Sequence, residues 1–346
     1  MKLPVEAYGA VIRGERRGPL ARLARAALQV ASWPYGWGVN WRNRRFDRGK
    51  RAVHRAAVPV VSIGNLSLGG TGKTPCVEYV AKLYRELGLQ VAILSRGYGA
   101  EAGPNDEAMV LEENLPDVPH LQGADRSAIA DAAVEELEAE LLVLDDGFQH
   151  RRLHRDLDIV LIDATSPPHK DWLFPRGTLR EPASSLKRAN VILLTRCDQV
   201  SDAEVNRIKA WLAKQSPGVP IATTEHRPVA NELKGATVGA FCGIGNPEAF
   251  RRTLESLGAT VADFRTFPDH YAYTREDVDE LRRWASELPP GATIATTQKD
   301  QVKLRLDELS GRPLHTVRIE MKIREGEDAF REVLSSIELH GCDPLI

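Results

Sequence analysis

A glycine-rich run followed by a lysine and a threonine is the part of this 346-residue chain whose spacing points most directly to chemistry. Its members are Ser67, Gly69, Gly70, Thr71, Gly72, Lys73 and Thr74. Glycines let a backbone approach a phosphate closely, and N–H groups at a helix N-terminus point at it. A lysine here reaches the β- and γ-phosphates, and a threonine hydroxyl binds Mg²⁺. The run predicts a phosphate loop for Mg²⁺-ATP, although Ser67 stands where the general pattern has glycine; the alternative is a glycine-rich turn with a chance lysine.

Two adjacent aspartates, Asp145 and Asp146, follow the apolar run 141–144. A phosphate loop is accompanied by a carboxylate for the metal at the end of a nearby strand. Ligands of open α/β sheets bind at the same edge. One aspartate would bind Mg²⁺ directly and the other through water, in either order, unless both only cap a strand-end turn. Gln149 and His150 follow, and His150 is either a contact to acceptor or phosphate or a structural hydrogen-bonding group.

The surrounding pattern alternates strands and helices, as in a parallel sheet covered on both faces. Apolar runs predict strands, and 3.6-residue spacing predicts helices. Before residue 225 the predicted strands are 58–63, 89–95, 141–144, 159–162 and 191–194, and the predicted helices are 74–87 and 125–140. After a polar break near 225–235 the strands are 238–241 and 292–296, and the helices are 247–257 and 278–288. We therefore expect a P-loop NTPase-type α/β domain over 57–229, a smaller α/β domain over 230–346, and a separate N-terminal segment over 1–56.

Charge is distributed unevenly along the chain. Residues 1–56 contain thirteen Lys and Arg against three acidic residues, a net charge of +10, whereas the whole chain carries −2. Such a segment predicts an anionic partner surface, either membrane or nucleic acid. The four cysteines (Cys76, Cys197, Cys242 and Cys342) are scattered without a C-x-x-C pair. That pattern favours a reducing cytosol over a disulfide framework or a zinc site.

The aromatic residues of this basic segment favour the membrane. Trp33, Tyr35, Trp37 and Trp41 lie among arginines, and Trp and Tyr concentrate at membrane interfaces. The longest uncharged run, 26–41, has sixteen residues, whereas a spanning helix needs roughly 20. We therefore expect an amphipathic helix that lies on the membrane surface; the alternative is a basic helix that only packs on the body of the protein.

Several motifs together resemble those of the tetraacyldisaccharide 4′-kinase family, in the same order along residues 20–305. The segments that carry the resemblance are 64–75 (GNLSLGGTGKTP), 94–99 (LSRGYG), 145–150 (DDGFQH), 179–181 (LRE), 243–247 (GIGNP), 267–270 (FPDH) and 297–300 (TQKD). Ser67 belongs to that family's own phosphate loop. The resemblance implies an enzyme of lipid A biosynthesis, peripheral or monotopic at the cytoplasmic face of the inner membrane. It would transfer the γ-phosphate of ATP to the 4′-hydroxyl of a tetraacyldisaccharide 1-phosphate. No nucleic acid and no obligate protein partner are implied.

The resemblance also implies a catalytic pair. Asp106, in the segment 104–108 (PNDEA), matches a family aspartate, with Asn105 where glycine is usual. His270 matches a family histidine in the second domain and would pair with Asp106 across a cleft, so that domain closure assembles a base for the sugar hydroxyl. Arg180 would bind the transferring phosphoryl group or the acceptor's 1-phosphate, unless it is a surface arginine paired with Glu181. Contacts to substrate or phosphate are likewise implied for Arg96, Glu107, Gln149 and His150.

Three other functions stay open at this point. Segments 195–198 (TRCD) and 297–300 (TQKD) faintly resemble the guanine-reading element of P-loop GTPases, although each departs from it. A nucleotide-gated membrane-binding module would need neither Asp106 nor His270. A kinase acting on a small soluble acceptor would leave the basic aromatic segment unexplained.

Overall fold

The computed structural model describes residues 5–97 and 106–337. Asn105 and the Tyr98–Gly99 part of one motif lie outside the described residues, as does Cys342. In chain order the helices are α1 (Val5–Ile12), α2 (Pro19–Asp47), α3 (Lys73–Glu86), α4 (Asp106–Asn114), α5 (Arg126–Leu137), α6 (Asp202–Gln215), α7 (Pro247–Ser256), α8 (Arg275–Glu287), α9 (Gln298–Leu304) and α10 (Glu327–Ser335). The strands are β1 (Val60–Asn65), β2 (Val91–Ser95), β3 (His120–Gln122), β4 (Leu141–Asp145), β5 (Leu157–Asp163), β6 (Val191–Thr195), β7 (Ile221–Val229), β8 (Thr237–Cys242), β9 (Thr260–Thr266), β10 (Thr293–Thr297), β11 (Glu308–Leu309) and β12 (Arg312–Glu325).

The chain folds into two compact units. Among the described residues, the first unit takes 5–96, 121–225 and 323–337, and the second takes 97, 106–120 and 226–322. These units divide the chain differently from the predicted domains. The segment with α4 joins the second unit although it follows β2, and α10 joins the first unit although it ends the described chain. The N-terminal helices belong to the first unit.

The first unit is built on a sheet in the order β3-β2-β4-β1-β5-β6-β7, in which the pairings from β2 to β7 are parallel. β1 pairs in parallel with β4 on one side and β5 on the other, and all six of its residues are buried. Two apolar clusters cover the sheet, one with Phe148 and Leu194 and one with Leu94 and Leu142. Parallel strands buried on both faces explain why these segments read as continuous apolar runs in the sequence.

Helix α10 packs on α3 within the first unit. The Tyr84 hydroxyl donates to the Leu334 carbonyl at 2.8 Å, and the rings of Tyr79 and Phe330 lie 6.1 Å apart. Phe330 and Leu334 are buried at helical spacing. Burial of these side chains and a satisfied buried hydroxyl explain why the end of the described chain belongs with this unit.

Helix α2 is 29 residues long and continues through Pro34. Ser32, Gly36, Val39 and Asn43 form its buried face, at spacings of three and four residues. The opposite face is apolar and exposed, with Leu20, Leu23, Val30, Trp33, Trp37 and Trp41 all more than half exposed. Within residues 5–97 and 106–337, no helix is long and apolar enough to cross a membrane.

The second unit has a sheet in the order β12-β10-β8-β9, with parallel pairing along that order and β11 antiparallel to β12. One apolar cluster includes Phe250 and Leu254, and another includes Phe241 and Trp284. Helix α8 begins with a capping box between Thr274 and Asp277. The predicted α/β class, with mostly parallel sheets and an N-terminal helix, is confirmed.

Candidate active site

The predicted phosphate loop connects β1 to α3 in the first unit. Gly72 caps α3 with φ +86° and Lys73 is the first residue of the helix. Gly69 has φ +108°, and a Cβ at this position would meet no atom within 4 Å, so backbone conformation rather than space requires glycine here. Ser67 forms an isolated antiparallel bridge with Leu179. The first N–H groups of α3 have no partner within their own helix, as an anion site requires.

Asp146 lies between two cationic side chains. Arg180 Nη1 contacts both of its carboxylate oxygens, at 3.0 and 2.8 Å, and Lys73 Nζ lies 3.5 Å from Oδ1. Burial would raise the pKa of Asp146, but the charges of Lys73 and Arg180 and their hydrogen bonds outweigh it and hold the pKa below its usual range. The carboxylate therefore stays ionised at neutral pH.

Close packing brings the two aspartates to the phosphate loop. Asp145 ends β4 in register with Ile63 of β1. A Cβ at Gly64 would lie 2.6 Å from the Cβ of Phe148, and one at Gly147 would lie 2.5 Å from the Ser62 hydroxyl oxygen. Both glycines let the turn after β4 pass against β1, a role that residue types alone did not reveal.

Thr71 of the phosphate loop is hydrogen-bonded to the end of strand β6. Thr71 is buried, and its hydroxyl has no hydrogen-bond partner among the described residues. Its carbonyl accepts from the Thr195 hydroxyl at 2.9 Å. Arg196, the second residue of the TRCD segment, forms an ion pair with Asp163 at the end of β5. The buried unpartnered hydroxyl of Thr71 is the type of group that a phosphate oxygen would satisfy.

Gln149 and His150 occupy the turn after the aspartates. The Gln149 amide donates to the Asn65 carbonyl at 2.9 Å, and its oxygen lies 3.4 Å from Arg180 Nη1. His150 Nε2 is buried without a partner among the described residues. Burial, followed by the charges of nearby arginines, lowers the pKa of His150 to about 4, so the imidazole is neutral at pH 7.

Arg126 was not predicted from the sequence. It is the first residue of α5, is only 5% exposed, and donates from Nη1 to the Ala124 carbonyl at 3.2 Å. Its Nε is buried and has no hydrogen-bond partner within residues 5–97 and 106–337. Burial, and then the charge of Arg96, lower its pKa, while Asp146 and Asp145 act in the opposite direction. A basic residue at a helix N-terminus opposes the helix dipole, and that is the signal by which it could have been found.

Asp106 and His270 lie together in the second unit, with 3.1 Å between Asp106 Oδ2 and His270 Nδ1. Asp106 is buried at the start of α4. The His270 side chain is 62% exposed, and its backbone is left-handed with φ +57°. A left-handed conformation is uncommon for a residue other than glycine and concentrates at functional sites. The pair was predicted to span two domains, whereas both residues belong to one unit.

Lys303, also not predicted, joins Asp106 to α9. Its Nζ lies 3.0 Å from Asp106 Oδ2 and 3.6 Å from Asp300 Oδ1. Asp300 is fully buried and accepts from the Gly243 N–H at 3.0 Å and from the hydroxyl of Thr297, the N-cap residue of α9, at 2.6 Å. Because its oxygens are used inside the unit, Asp300 does not have the geometry of a guanine-reading aspartate.

Glu107, the neighbour of Asp106, is paired with Lys299 Nζ at 3.1 Å.

The candidate residues fall into two sets, one in each unit. The first set comprises Ser67, Gly69, Gly70, Thr71, Gly72, Lys73, Thr74, Arg96, Asp145, Asp146, Gln149, His150 and Arg180, and the second comprises Asp106, Glu107 and His270. Over the described ranges, no three His, Cys, Asp or Glu side chains cluster so as to hold a metal by themselves.

Comparison with known proteins gives a consistent assignment. A family described as tetraacyldisaccharide-1-P 4′-kinase matches residues 24–338. A tetraacyldisaccharide 4′-kinase of Anaeromyxobacter dehalogenans is 40% identical, with 93% of each chain covered. One of Syntrophus aciditrophicus is 37% identical, with 89% of this chain and 91% of the relative covered.

Among solved structures, the "apo" form of LpxK from Aquifex aeolicus in complex with ATP has a TM-score of 0.71 and 32% identity. The match covers 90% of this chain and 98% of that one. The chain therefore belongs to the tetraacyldisaccharide-1-P 4′-kinase family.

Proposed function

We propose that this protein transfers the γ-phosphate of ATP to the 4′-hydroxyl of a tetraacyldisaccharide 1-phosphate, giving the 1,4′-bisphosphate. The observation that carries the proposal is the phosphate loop whose Lys73 lies beside Asp146 at the end of the adjacent strand β4. This is the arrangement of a phosphoryl-transfer site. The relatives' names supply the acceptor.

ATP binds through its phosphates to the loop and to the first turn of α3. Backbone N–H groups hold the phosphate oxygens, and Lys73 places a positive charge beside them. The Thr71 hydroxyl, buried without a partner among the described residues, gains a phosphate oxygen as its acceptor. The bound structure of the Aquifex aeolicus protein supports ATP as the nucleotide.

The residues present fit Mg²⁺. Thr74, Asp145 and Asp146 offer only oxygen donors, and Mg²⁺ is typically held by one or two carboxylates together with substrate phosphates. We assign Thr74 and Asp145 as the direct ligands, because Asp145 ends β4 next to β1, the strand that leads into the loop, while Asp146 contacts Arg180 and Lys73. When bound, Mg²⁺ neutralises charge that develops on the phosphates.

Asp106 and His270 act as the base for the acceptor hydroxyl. A carboxylate accepts hydrogen bonds, so His270 Nδ1 carries the hydrogen in this contact, and the neutral tautomer with that hydrogen has its lone pair on Nε2. Asp106 thereby orients the ring, and Nε2 takes the proton of the sugar hydroxyl. The exposure of His270 leaves its ring accessible to a substrate. The domain closure that the family resemblance implies stays a prediction.

Arg126 is assigned to an anionic group of the substrates. A buried guanidinium carries a desolvation cost that an anion would offset. Its buried Nε, which has no partner in the part of the chain that the structure describes, offers a donor toward that anion. The phosphate of the acceptor fits this requirement, as an arginine can bind phosphate bidentately. His150 is neutral, and its Nε2 has no partner among the residues with described positions, so it adds a hydrogen-bonding group without charge.

The exposed face of α2 is proposed to lie on a membrane. Trp33, Trp37 and Trp41 follow one another at four-residue spacing and are 57%, 74% and 58% exposed. Arg45 stacks on Trp41 at 4.9 Å, so charge lies next to the aromatic surface. An exposed apolar face in a segment of net charge +10 matches an anionic lipid interface. With ATP as donor and an acylated acceptor, we place the protein at the cytoplasmic face of the inner membrane.

The test is a transfer assay with purified protein, Mg²⁺-ATP and tetraacyldisaccharide 1-phosphate in detergent, followed by mass spectrometry of the lipid. We expect the mass gain of one phosphate on the distal sugar, lost in Lys73→Ala. Lys82→Ala is the control, because Lys82 lies on the same helix with its side chain 37% exposed, where it pairs with Glu78 rather than with the nucleotide site. ATP turnover by folded protein without lipid phosphorylation would reject this acceptor.

The same assay separates ATP from GTP. We expect ATP to support transfer and GTP to support little of it. The reverse preference would favour a P-loop GTPase and would contradict the proposal.

A further inference from the structure

The segment Thr178–Glu181 pairs with the entrance of the phosphate loop. The Leu68 N–H donates to the Thr178 carbonyl at 2.8 Å, and the Arg180 N–H donates to the Leu66 carbonyl at 2.7 Å. These two hydrogen bonds flank the antiparallel bridge between Ser67 and Leu179. The position of the backbone just before Gly69 therefore depends on the position of this segment.

Helix α2 holds the same segment from the other side. Glu181 is fully buried and accepts from Arg42 Nη2 at 2.8 Å and from Asn43 Nδ2 at 2.9 Å, both on α2. Arg188 Nη2 donates to it at 2.9 Å. The Tyr35 hydroxyl, also on α2, donates to the Arg180 carbonyl at 2.9 Å. A carboxylate removed from water is tolerated only with such a full set of donors.

The side chains of residues 180 and 181 thus have different partners. Arg180 contacts Asp146 and Gln149 in the nucleotide site, while Glu181 contacts α2. We infer that Glu181 is a positioning residue, through which the attachment of α2 sets the position of the phosphate loop and of Arg180. The inference rests on the proposed function in that the loop must be the ATP site.

Loss of this attachment should appear in ATP binding. Glu181→Gln keeps the side-chain shape but removes the charge that Arg42 and Arg188 share, so the segment and the loop paired with it lose their defined position. Tyr35→Phe removes only the hydroxyl donated to Arg180 and keeps the aromatic contact with Phe174. We expect ATP affinity to fall about tenfold in Glu181→Gln and roughly threefold in Tyr35→Phe.

The control is Asp158→Asn. Asp158 is a buried carboxylate of the same unit, paired with Arg155 at 2.8 Å, but it lies at the start of β5, while the phosphate loop follows the end of β1. Loss of the Asp158 charge should lower the melting temperature of the protein and leave its affinity for ATP unchanged. Both residues thus test a buried ion pair, and only one is connected to α2 and the loop.

The experiment is isothermal titration of Mg²⁺-ATP into the full-length wild-type protein and the three variants, with melting temperatures measured in parallel. A tenfold loss of ATP affinity in Glu181→Gln, a smaller loss in Tyr35→Phe and no loss in Asp158→Asn support the inference. Affinities within twofold of wild type in both variants, or an equal loss in Asp158→Asn, would overturn it. If Glu181→Gln does not fold, the Tyr35→Phe affinity decides. The titration contains no lipid acceptor. Its result therefore still tests the role of Glu181 in ATP binding if the lipid transfer assay fails.

Discussion

Replacing Lys303 by methionine should destabilise the second unit more than any surface change on the same helix. The ammonium of Lys303 lies 3.0 Å from Asp106 and 3.6 Å from Asp300. Its side chain is 10% exposed, and those of the two aspartates are 9% and 0% exposed. Lys303→Met keeps the length of the chain and removes the charge that these two carboxylates share.

The expected cost follows from this burial. Removing one partner of a buried ion pair typically costs about 3–5 kcal/mol, because it leaves the other charge uncompensated. Two carboxylates remain here, and both also keep hydrogen bonds, so we expect a value near the lower limit, about 3 kcal/mol. For a unit of this size that corresponds to a fall of roughly 10 °C in melting temperature. Phosphoryl transfer should fall as well, since Asp106 then loses a group that holds it against His270.

Differential scanning calorimetry of the full-length protein measures this change. Lys299→Met is the matched control, since Lys299 lies on the same helix but forms a half-exposed pair with Glu107, worth about 0.2–1 kcal/mol. We expect the control to shift the melting temperature by no more than roughly 3 °C. Equal shifts in the two variants, or a change below 3 °C in Lys303→Met, would refute the argument from burial.

Three further predictions concern the first unit. Lys73→Ala and Asp145→Ala should each lower transfer at least about 100-fold with an unchanged circular dichroism spectrum; activity retained in either would remove that residue from the phosphate and metal site. His150 has its pKa lowered to about 4, so between pH 4 and 6.5 the unfolded chain binds the extra proton and the free energy of unfolding falls as pH is lowered. His150→Gln should reduce this fall, measured by urea titration, by roughly 1 kcal/mol, since partial exposure screens the charge; an unchanged slope would contradict the shift. Trp37→Ser with Trp41→Ser should weaken binding to anionic vesicles about tenfold in co-sedimentation and leave ATP hydrolysis in detergent unchanged; unaltered vesicle binding would show that this face does not meet lipid.

Local spacing in the sequence was enough to predict the phosphate loop and the strand-end aspartates. Gly72, Lys73 and Asp145 depend on elements that adjoin them in the chain, namely β1, α3 and β4. Buried parallel strands also leave continuous apolar runs, so most of the predicted elements lie within a few residues of the observed ones. The catalytic candidates Asp106 and His270 came from family resemblance, because an aspartate in an acidic segment carries no local signal of its own.

Only the tertiary structure decided which distant residues meet. Arg180 contacts Asp146, 34 positions earlier in the chain. Lys303 contacts Asp106, which is much farther away in the sequence, and α10 packs on α3. Residue types gave no indication that the segment after β2 would leave the first unit. Ion pairs and helix docking of this kind depend on how strands are ordered and which faces they bury, and a linear pattern contains neither. The sequence by itself therefore determined the local elements and the candidate residues that they carry, while the partners that orient those residues were decided by packing between elements far apart in the chain.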